Sequence, residues 1–556
     1  MTAGLVLGLT AGFGAALAGP AQASSVHTAV AAADTSTMPS GRTTFRTVND
    51  YNAEIVDLAA ANPNLVKHIT LPHKTRMGKS VFGIEVTDDV NANDGKPVMF
   101  MMGMHHGNEW ASGEHTIEFA YDLINHFNSG DPEITDLLHK VRVIFVPVVN
   151  VDGFMRNRRT GCGVSPDCAL AGGVDVNRNY PFGWGANIAS DFTNRGPAAG
   201  SEPEIQNVMD IVKSHQVTTF ITNHTSGHTV LRAPFQKAAG DAPDEPAYKA
   251  LTDAITAKNG YTGMQSGYDY ETTGEANDWS YYASRGFGFT FEIMTPTTKD
   301  TYARVIDDYN GTGVFDGHSN REGFMVVLRH TAEASAHSQI TGDARPGNVL
   351  TISKSFDLWT SPIKNIDGTT SAPQAVPTHL QSTMTVPVGG QFTWNVNPSV
   401  RPQPGYTSVG VVATGPGKFI QERWTLTCSS PDGTVLDSVP VTVDMGQVAD
   451  VNLPNCKKSN KNAAKVDAKV ISKKVVAGET QAQVDVQVTA KGVQPSGQVV
   501  ATVDGLTVGT ATVVNGHAVL TLAPFDQPGV TKVDISYSGD ANVAGGDTTV
   551  SINVRG

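Results

Sequence analysis

The chain has 556 residues, too many for one hydrophobic core, so it divides into two to four domains. Its net charge of -13 excludes the phosphate backbone of a nucleic acid as the main partner, because that partner demands a basic surface. Forty per cent apolar residues, with many Gly and Pro, fit globular domains that are loop-rich or all-β in part.

The first segment, "GLVLGLTAGFGAALA" followed by Gly19-Pro20 and "AQA", has the apolar stretch and small-residue cleavage site of an export sequence. It is too short to span a membrane. No Lys or Arg precedes Arg42, so either the α-amine alone supplies the positive end or the true start lies upstream. Residues 1–23 therefore read as a signal peptide and the protein as secreted and extracellular. Residues 24–40, rich in Ala, Ser and Thr, read as a disordered linker. That stretch is too short for a folded pro-domain, so a chain beginning at Ser24 is expected to be active without further processing.

From 41 to 341, helical patterns at 46–61, 109–128, 203–214, 245–258 and 321–338 alternate with apolar runs at 97–103, 141–149, 217–222 and 287–293. This predicts an α/β domain with a mixed, mostly buried sheet flanked by helices. After 342 the helical periodicity stops. Residues 345–457 show short alternating runs such as "FTWNVNPSV", and the linker "CKKSNKNAAK" leads to 465–556, with strands every 8 to 12 residues between Gly/Asp turns. Two all-β, sandwich-type domains are predicted there. In an exported protein the four cysteines pair, and the simplest of three connectivities is Cys162–Cys168 with Cys428–Cys456.

Chemistry concentrates in "GMHHGNEW", residues 103–110. Two imidazoles and a carboxylate at the end of a buried strand are costly unless a metal ion compensates them. His106 and Glu109 are spaced i, i+3, and His105 and Glu109 i, i+4; adjacent strand residues point to opposite faces, so only one histidine of the pair faces a shared metal. A second nitrogen ligand stands at His224, where the apolar run 218–221 ends. Two His and one carboxylate leave a tetrahedral zinc with an open, water-bearing position. Glu292, in the apolar run "GFGFTFEIM", is the candidate base for that water.

Residues 41–341 resemble the secreted zinc carboxypeptidases of the M14 metallopeptidase family. The resemblance rests on ordered motifs: "HHGNE" at 105–109, "NVDGF" at 150–154, "GVDVNRNY" at 173–180, "GSEPE" at 200–204, "NHTSG" at 223–227, "YETTGEANDW" at 270–279 and "FTFE" at 289–292. It implies a single Zn(2+) held by His106, Glu109 and His224, and Glu292 as general base. It implies Asn177, Arg178 and Tyr270 as holders of the substrate's terminal carboxylate, and Asp175 as the carboxylate that orients a ligating histidine. The residue-type chemistry agrees: a terminal carboxylate wants a forked guanidinium, an amide and a phenol. For the arginine that faces the developing oxyanion, the loop "GFMRNRRTG" leads to Arg156, with Arg158 next and Arg159 as a solvated neighbour.

The implied activity is hydrolysis of the C-terminal peptide bond of peptides or proteins. Asn277 falls at the position that decides side-chain preference in this family, and a neutral amide there implies release of neutral amino acids, with Glu275 two residues away as an acid able to attract a base. A zinc amidase for acyl-amino acids or cell-wall peptides, and a non-catalytic adhesion module, are the competing classes. Residues 465–556 resemble bacterial Ig-like domains; attachment to cell wall, polysaccharide or protein and a plain spacer role are all open to the β modules. Every candidate catalytic residue lies before 300, so these modules are expected to be dispensable for chemistry.

Overall fold

The computed structural model describes residues 37–162, 173–186, 194–237, 240–294, 301–365, 367–406, 411–413, 415–458, 461–540 and 542–556. The proposed signal peptide, most of the proposed linker and Cys168 lie outside the described residues.

Eight strands form one sheet: β1 (Val66–Thr70), β2 (Phe82–Val86), β3 (Val98–Gly103), β4 (Arg142–Val146), β5 (Val217–Thr225), β6 (Thr229–Arg232), β7 (Thr262–Gln265) and β8 (Phe287–Ile293). Their order is β1-β2-β4-β3-β5-β8-β6-β7. The central neighbours β4, β3, β5 and β8 run parallel, while β2 and β6 join them antiparallel, giving the mixed sheet expected. Every residue of β3, β4 and β5 is buried, which is why these segments read as continuous apolar runs rather than alternating ones.

The helices are α1 (Val48–Ala61), α2 (Trp110–Asn128), α3 (Pro132–Lys140), α4 (Val151–Met155), α5 (Pro203–Ser214), α6 (Glu245–Asn259), α7 (Ser266–Asp269), α8 (Ala276–Ser284), α9 (Tyr302–Asn310) and α10 (Asn320–Ala332). Helix α1 starts at a capping box formed by Thr47 and Asp50. Helix α2 packs on β3, β4 and β5, and α8 on β5 and β8, so both flank the strands that carry the candidate ligands.

Two differences from expectation have clear causes. Residues 37–40 are ordered: Met38 is buried in the core, and both the backbone N–H and the hydroxyl of Ser40 donate to Glu118. Helix α10 stops at Ala332, six residues short of the predicted end, and the chain instead enters β9 (Ser338–Asp343).

β9 is the middle strand of a three-stranded sheet with β14 (Gln391–Val396) and Val448–Val451. Facing it is a four-stranded sheet in which β10 (Val349–Trp359) lies between β13 (Ala375–Thr385) and Trp424–Ser429; between β10 and β13 in sequence lie the two-residue strands β11 (Ile363–Lys364) and β12 (Thr370–Ser371). The core between the sheets holds Ile340, Leu350, Trp394, Trp424 and the Cys428–Cys456 disulfide. Cys162 is also disulfide-bonded.

This β module is joined to the α/β body by specific contacts. The Asn397 backbone N–H donates to Gln216 Oε1 at 2.7 Å and its side chain to Val217 O at 2.9 Å. Arg401 donates to Tyr282 O at 3.1 Å, and Leu358 is buried in the core of the α/β body. Residues beyond 464 form a separate two-sheet unit of three and five strands around its own Val-rich core.

Candidate active site

The candidate ligands gather at the carboxyl ends of the parallel strands, where open α/β sheets hold their ligands. β3 ends at Gly103, and the next six residues turn into α2 with Glu109 at its N-cap. Asn150 holds this turn from the side: its Nδ2 donates to His105 O at 3.0 Å while its Oδ1 accepts from Gly153 N. The turn then lies so close to α4 that a Cβ on Gly107 would sit 2.1 Å from Gly153 C and Phe154 N. Only glycine fits there.

His106, Glu109 and His224 are all buried, and one ligand atom from each lies within 4.8 Å of the others. His106 Nδ1 is 2.8 Å from Glu109 Oε1, His224 Nδ1 is 3.0 Å from Glu109 Oε2, and the two Nδ1 atoms are 3.1 Å apart. Two imidazole nitrogens converging on one buried carboxylate form the donor set that zinc takes. Burial would raise the Glu109 carboxyl, but His106 and His224 outweigh it and hold Glu109 well below the usual carboxylate range.

The outer nitrogen of His106 is tied down: Nε2 is 3.0 Å from Asp175 Oδ1, which also accepts from Asn177 N. Such a carboxylate fixes the ring and leaves its other nitrogen for a metal. His105, by contrast, is used up by the fold. Its Nε2 meets Tyr180 OH at 2.8 Å and its Nδ1 meets Thr222 Oγ1 at 3.0 Å, and its ring stacks on His224.

The arginine beside the triad is Arg159, not Arg156 or Arg158. Arg159 Nε donates to Asp175 Oδ2 at 2.9 Å, and its Nη1 is 3.5 Å from Glu109 Oε1. Arg156 reaches Cys162 Sγ instead, and Arg158 is exposed. The cause is a reversal of the chain: Asn157 takes a left-handed backbone (φ 50°), Arg158 N bonds back to Gly153 O, and Asn150 Nδ2 holds Arg159 O. A count along the loop misses that reversal, although Asn is the residue type that tolerates it.

Glu292 lies in β8 directly opposite His224 of β5 in the parallel register. Burial, and then the charge of Glu109, push its carboxyl up to about 8. Arg178, three residues beyond Asp175, is buried, with Nη2 donating to Tyr270 OH at 3.2 Å and Nη1 paired with Glu275 Oε1 at 2.9 Å. Tyr270 is 42% exposed at the end of α7, while burial pushes its phenol up to about 12. Asn177 Nδ2 is 3.5 Å from His224 Nε2, and its Oδ1 accepts from Ala276 N, linking the Arg178 segment to α8. Asn277, fully buried, donates to Thr290 Oγ1 at 2.8 Å and leaves its Oδ1 without a partner.

The comparisons with known proteins fall on this same part of the chain. A family model described as zinc carboxypeptidase matches residues 51–307. Carboxypeptidase A1 of Rattus norvegicus is 27% identical over 296 residues, covering 47% of this chain and 69% of its own. Carboxypeptidase B of Bos taurus is 25% identical over 295 residues, covering 48% and 68%. A solved carboxypeptidase A from Helicoverpa armigera aligns with 54% of this chain and 77% of its own at 22% identity, with a TM-score of 0.45. The family is zinc-dependent, and the triad has the donor set that zinc requires. Residues 51–307 thus match the zinc carboxypeptidase model, and this part of the chain carries the α/β fold and the His/Glu/His triad of a metallocarboxypeptidase.

Proposed function

We propose that the protein is a secreted carboxypeptidase that uses one zinc per chain and releases single neutral amino acids from the C-termini of peptides or proteins. The observation that carries this reading is the convergence of three sets of groups. A His/Glu/His triad lies beside a carboxylate with raised proton affinity, and a buried arginine is hydrogen-bonded to the phenol of a partly exposed tyrosine.

His106, Glu109 and His224 hold the metal, which when bound supplies Lewis-acid polarisation of a carbonyl and a lowered pKa for water. Glu292 takes a proton from the attacking water and delivers it to the leaving amine, a task suited to a carboxyl whose affinity lies near neutral pH. Arg159 faces the oxygen of the scissile carbonyl as it gains charge; its guanidinium is oriented in advance by Asp175. Arg178 pairs with the terminal carboxylate of the substrate, with Asn177 and Tyr270 completing its hydrogen bonds. The C–N bond breaks and the carboxyl gains the water oxygen, releasing a free amino acid.

The neutral preference is supported by Asn277 and Glu275. Asn277 offers an unpaired acceptor but no charge, and the Glu275 carboxylate is engaged by Arg178. Neither presents a free anion to a Lys or Arg side chain. Values of kcat/KM for N-blocked dipeptides ending in Phe, Leu, Gln, Lys and Asp test this. Phe, Leu and Gln are expected to lead, with all turnover lost to a chelator and restored by zinc. A lead for Lys would sink the neutral reading and point to Glu275. Secretion is supported by the apolar N-terminal stretch and the Cys428–Cys456 disulfide; the exported chain is expected to begin at Ser24, which N-terminal sequencing of the culture medium checks. Residues 465–556 are read as an Ig-like module that either attaches to cell wall, polysaccharide or protein or serves as a plain spacer.

A further inference from the structure

The β10–β13 hairpin is the longest strand pair in the β module, and it is aimed at the active-site side of the α/β body. Its strands stay in register from Val349↔Thr385 to Trp359↔Ala375; beyond that Thr360 N donates to Gln374 O, and Gln374 N donates to the Thr360 hydroxyl. Beyond that, β11 and β12 pair to form a small secondary tip. The end of the hairpin, from Trp359 to Lys364, makes a backbone ladder of its own with the segment Gly183–Gly185. Gly183 N donates to Trp359 O at 3.4 Å, Ser361 N to Trp184 O at 3.0 Å, and Lys364 N to Gly185 O at 3.0 Å. Ile363, itself buried, closes over Gly185, where an added Cβ would stand 3.1 Å from the Ile363 side chain.

Gly183–Gly185 is the continuation of the strip that carries Arg178. That strip is bound on its other side to the loop bearing Tyr270 and Glu275. Tyr180 N donates to Gly274 O at 2.9 Å, and Thr273 Oγ1 donates to Gly183 O. A Cβ on Gly274 would come within 2.7 Å of Arg178 O and 2.9 Å of Tyr180 O. Gly183 therefore sits at a junction: its N–H is held by the β module, and its carbonyl holds the loop of Tyr270.

We propose that the tip of the β10–β13 hairpin is a positioning element for substrate binding. It latches the Arg178 strip and, through Gly183 and Thr273, the Tyr270 loop, so that guanidinium and phenol stand in place for the substrate's carboxylate. The β module is then part of the binding apparatus, although it contributes no group that touches substrate. This rests on the reading of Arg178 and Tyr270 given above. Fixing a binding group on backbone from two sides limits the misplacement that would otherwise weaken binding.

The test replaces residues 359–375 by Asn-Gly in the full chain, keeping the β10–β13 ladder through Leu358↔Val376, and pairs it with the milder variant Ile363→Ala. For an N-blocked dipeptide with a free C-terminal carboxylate, the tip deletion is expected to raise KM about tenfold, with kcat within about twofold and zinc content unchanged. The inhibition constant of the free amino acid product is expected to rise in parallel, and Ile363→Ala to shift both about threefold in the same direction. A variant that is merely less stable, with a lower Tm but unchanged KM and product inhibition, overturns the latch. If the deletion does not fold, an unchanged KM in Ile363→Ala overturns it alone. Arg178→Ala separates the two readings. If it raises KM while the tip variants do not, the latch fails and the carboxylate site stands. If Arg178→Ala leaves KM unchanged, the assignment of the carboxylate site itself fails.

Discussion

Glu292 and His224 face each other across two parallel strands, and the division of labour between them is sharply testable. Glu292 is outside the triad, so Glu292→Gln is expected to keep zinc at wild-type stoichiometry while lowering kcat by about 10²–10⁴, the usual worth of a positioned general base. Loss of zinc together with activity would make Glu292 a ligand or a support of one. The two arginines of the following loop can be told apart in the same way. Arg159→Ala is expected to lower kcat about 10²–10³-fold, whereas Arg156→Ala, which loses a contact with Cys162, changes it little. The reverse ranking would restore the arginine that spacing alone selects. The ligand pattern was legible in the sequence because each residue ends a buried apolar strand or begins a helix, where a charge needs a reason. Which arginine lies beside the triad was not, because one left-handed residue, Asn157, reverses the loop without changing its composition.

Short elements hold the site together, and they were the least legible part of the chain. Helix α4 has only five residues, too few for a periodic pattern, yet its N-cap Asn150 binds both His105 O and Arg159 O. Gly107→Ala forces the ligand turn off α4, since the new Cβ meets backbone atoms that cannot rotate away. Zinc affinity is expected to fall about 10–100-fold with the far-ultraviolet dichroism unchanged, the size of effect typical of groups that orient ligands. Undiminished affinity would mean that the turn has slack. Longer elements were read well where a pattern had room: α5 and β8 end where the sequence predicts, whereas α3, α8 and α9, with nine residues each, went unread. Helix α5 also carries a cost. Glu204 is buried with neither carboxyl oxygen bonded among the described residues, and burial, with the nearby charges of Asp152 and Glu202, pushes it up to about 8 from an ordinary value of 4.5. The folded state therefore binds a proton that the unfolded chain has released, and stability falls as pH rises from about 4.5 to about 8. Glu204→Gln carries no such proton, so its Tm is expected to match the wild type near pH 4 and to exceed it by several degrees near pH 9. Parallel Tm curves across that range would show that Glu204 finds a partner in solution.

At the scale of the whole molecule, the texture of the sequence and the physical unit part company. Composition marks a change near residue 342, and every candidate catalytic residue lies upstream, so the β-rich remainder reads as detachable. The contacts argue that only the last part is. β9 begins at Ser338 and is the middle strand of its sheet, so a chain cut after residue 342 ends in a strand with both partners missing. The same cut removes Leu358 from the core of the α/β body, strips Asn397 from Gln216 and Val217, and releases the Gly183–Gly185 segment from the hairpin tip. These long-range pairings leave no local periodicity, which is why they cannot be read from the sequence. Two truncations separate the possibilities. A chain cut after residue 458 loses only the unit with its own sheets and core, and is expected to keep the Tm of the α/β body and kcat on small blocked dipeptides. The cut after 342 is expected to aggregate, or to melt about 10 °C or more lower, each kcal/mol being worth about 2–4 °C in domains of 150–250 residues. If the shorter chain instead melts like the longer one and binds dipeptide with the same KM, the first β module is a passenger on the catalytic domain. Equal loss in both truncations would extend the functional unit through residue 556.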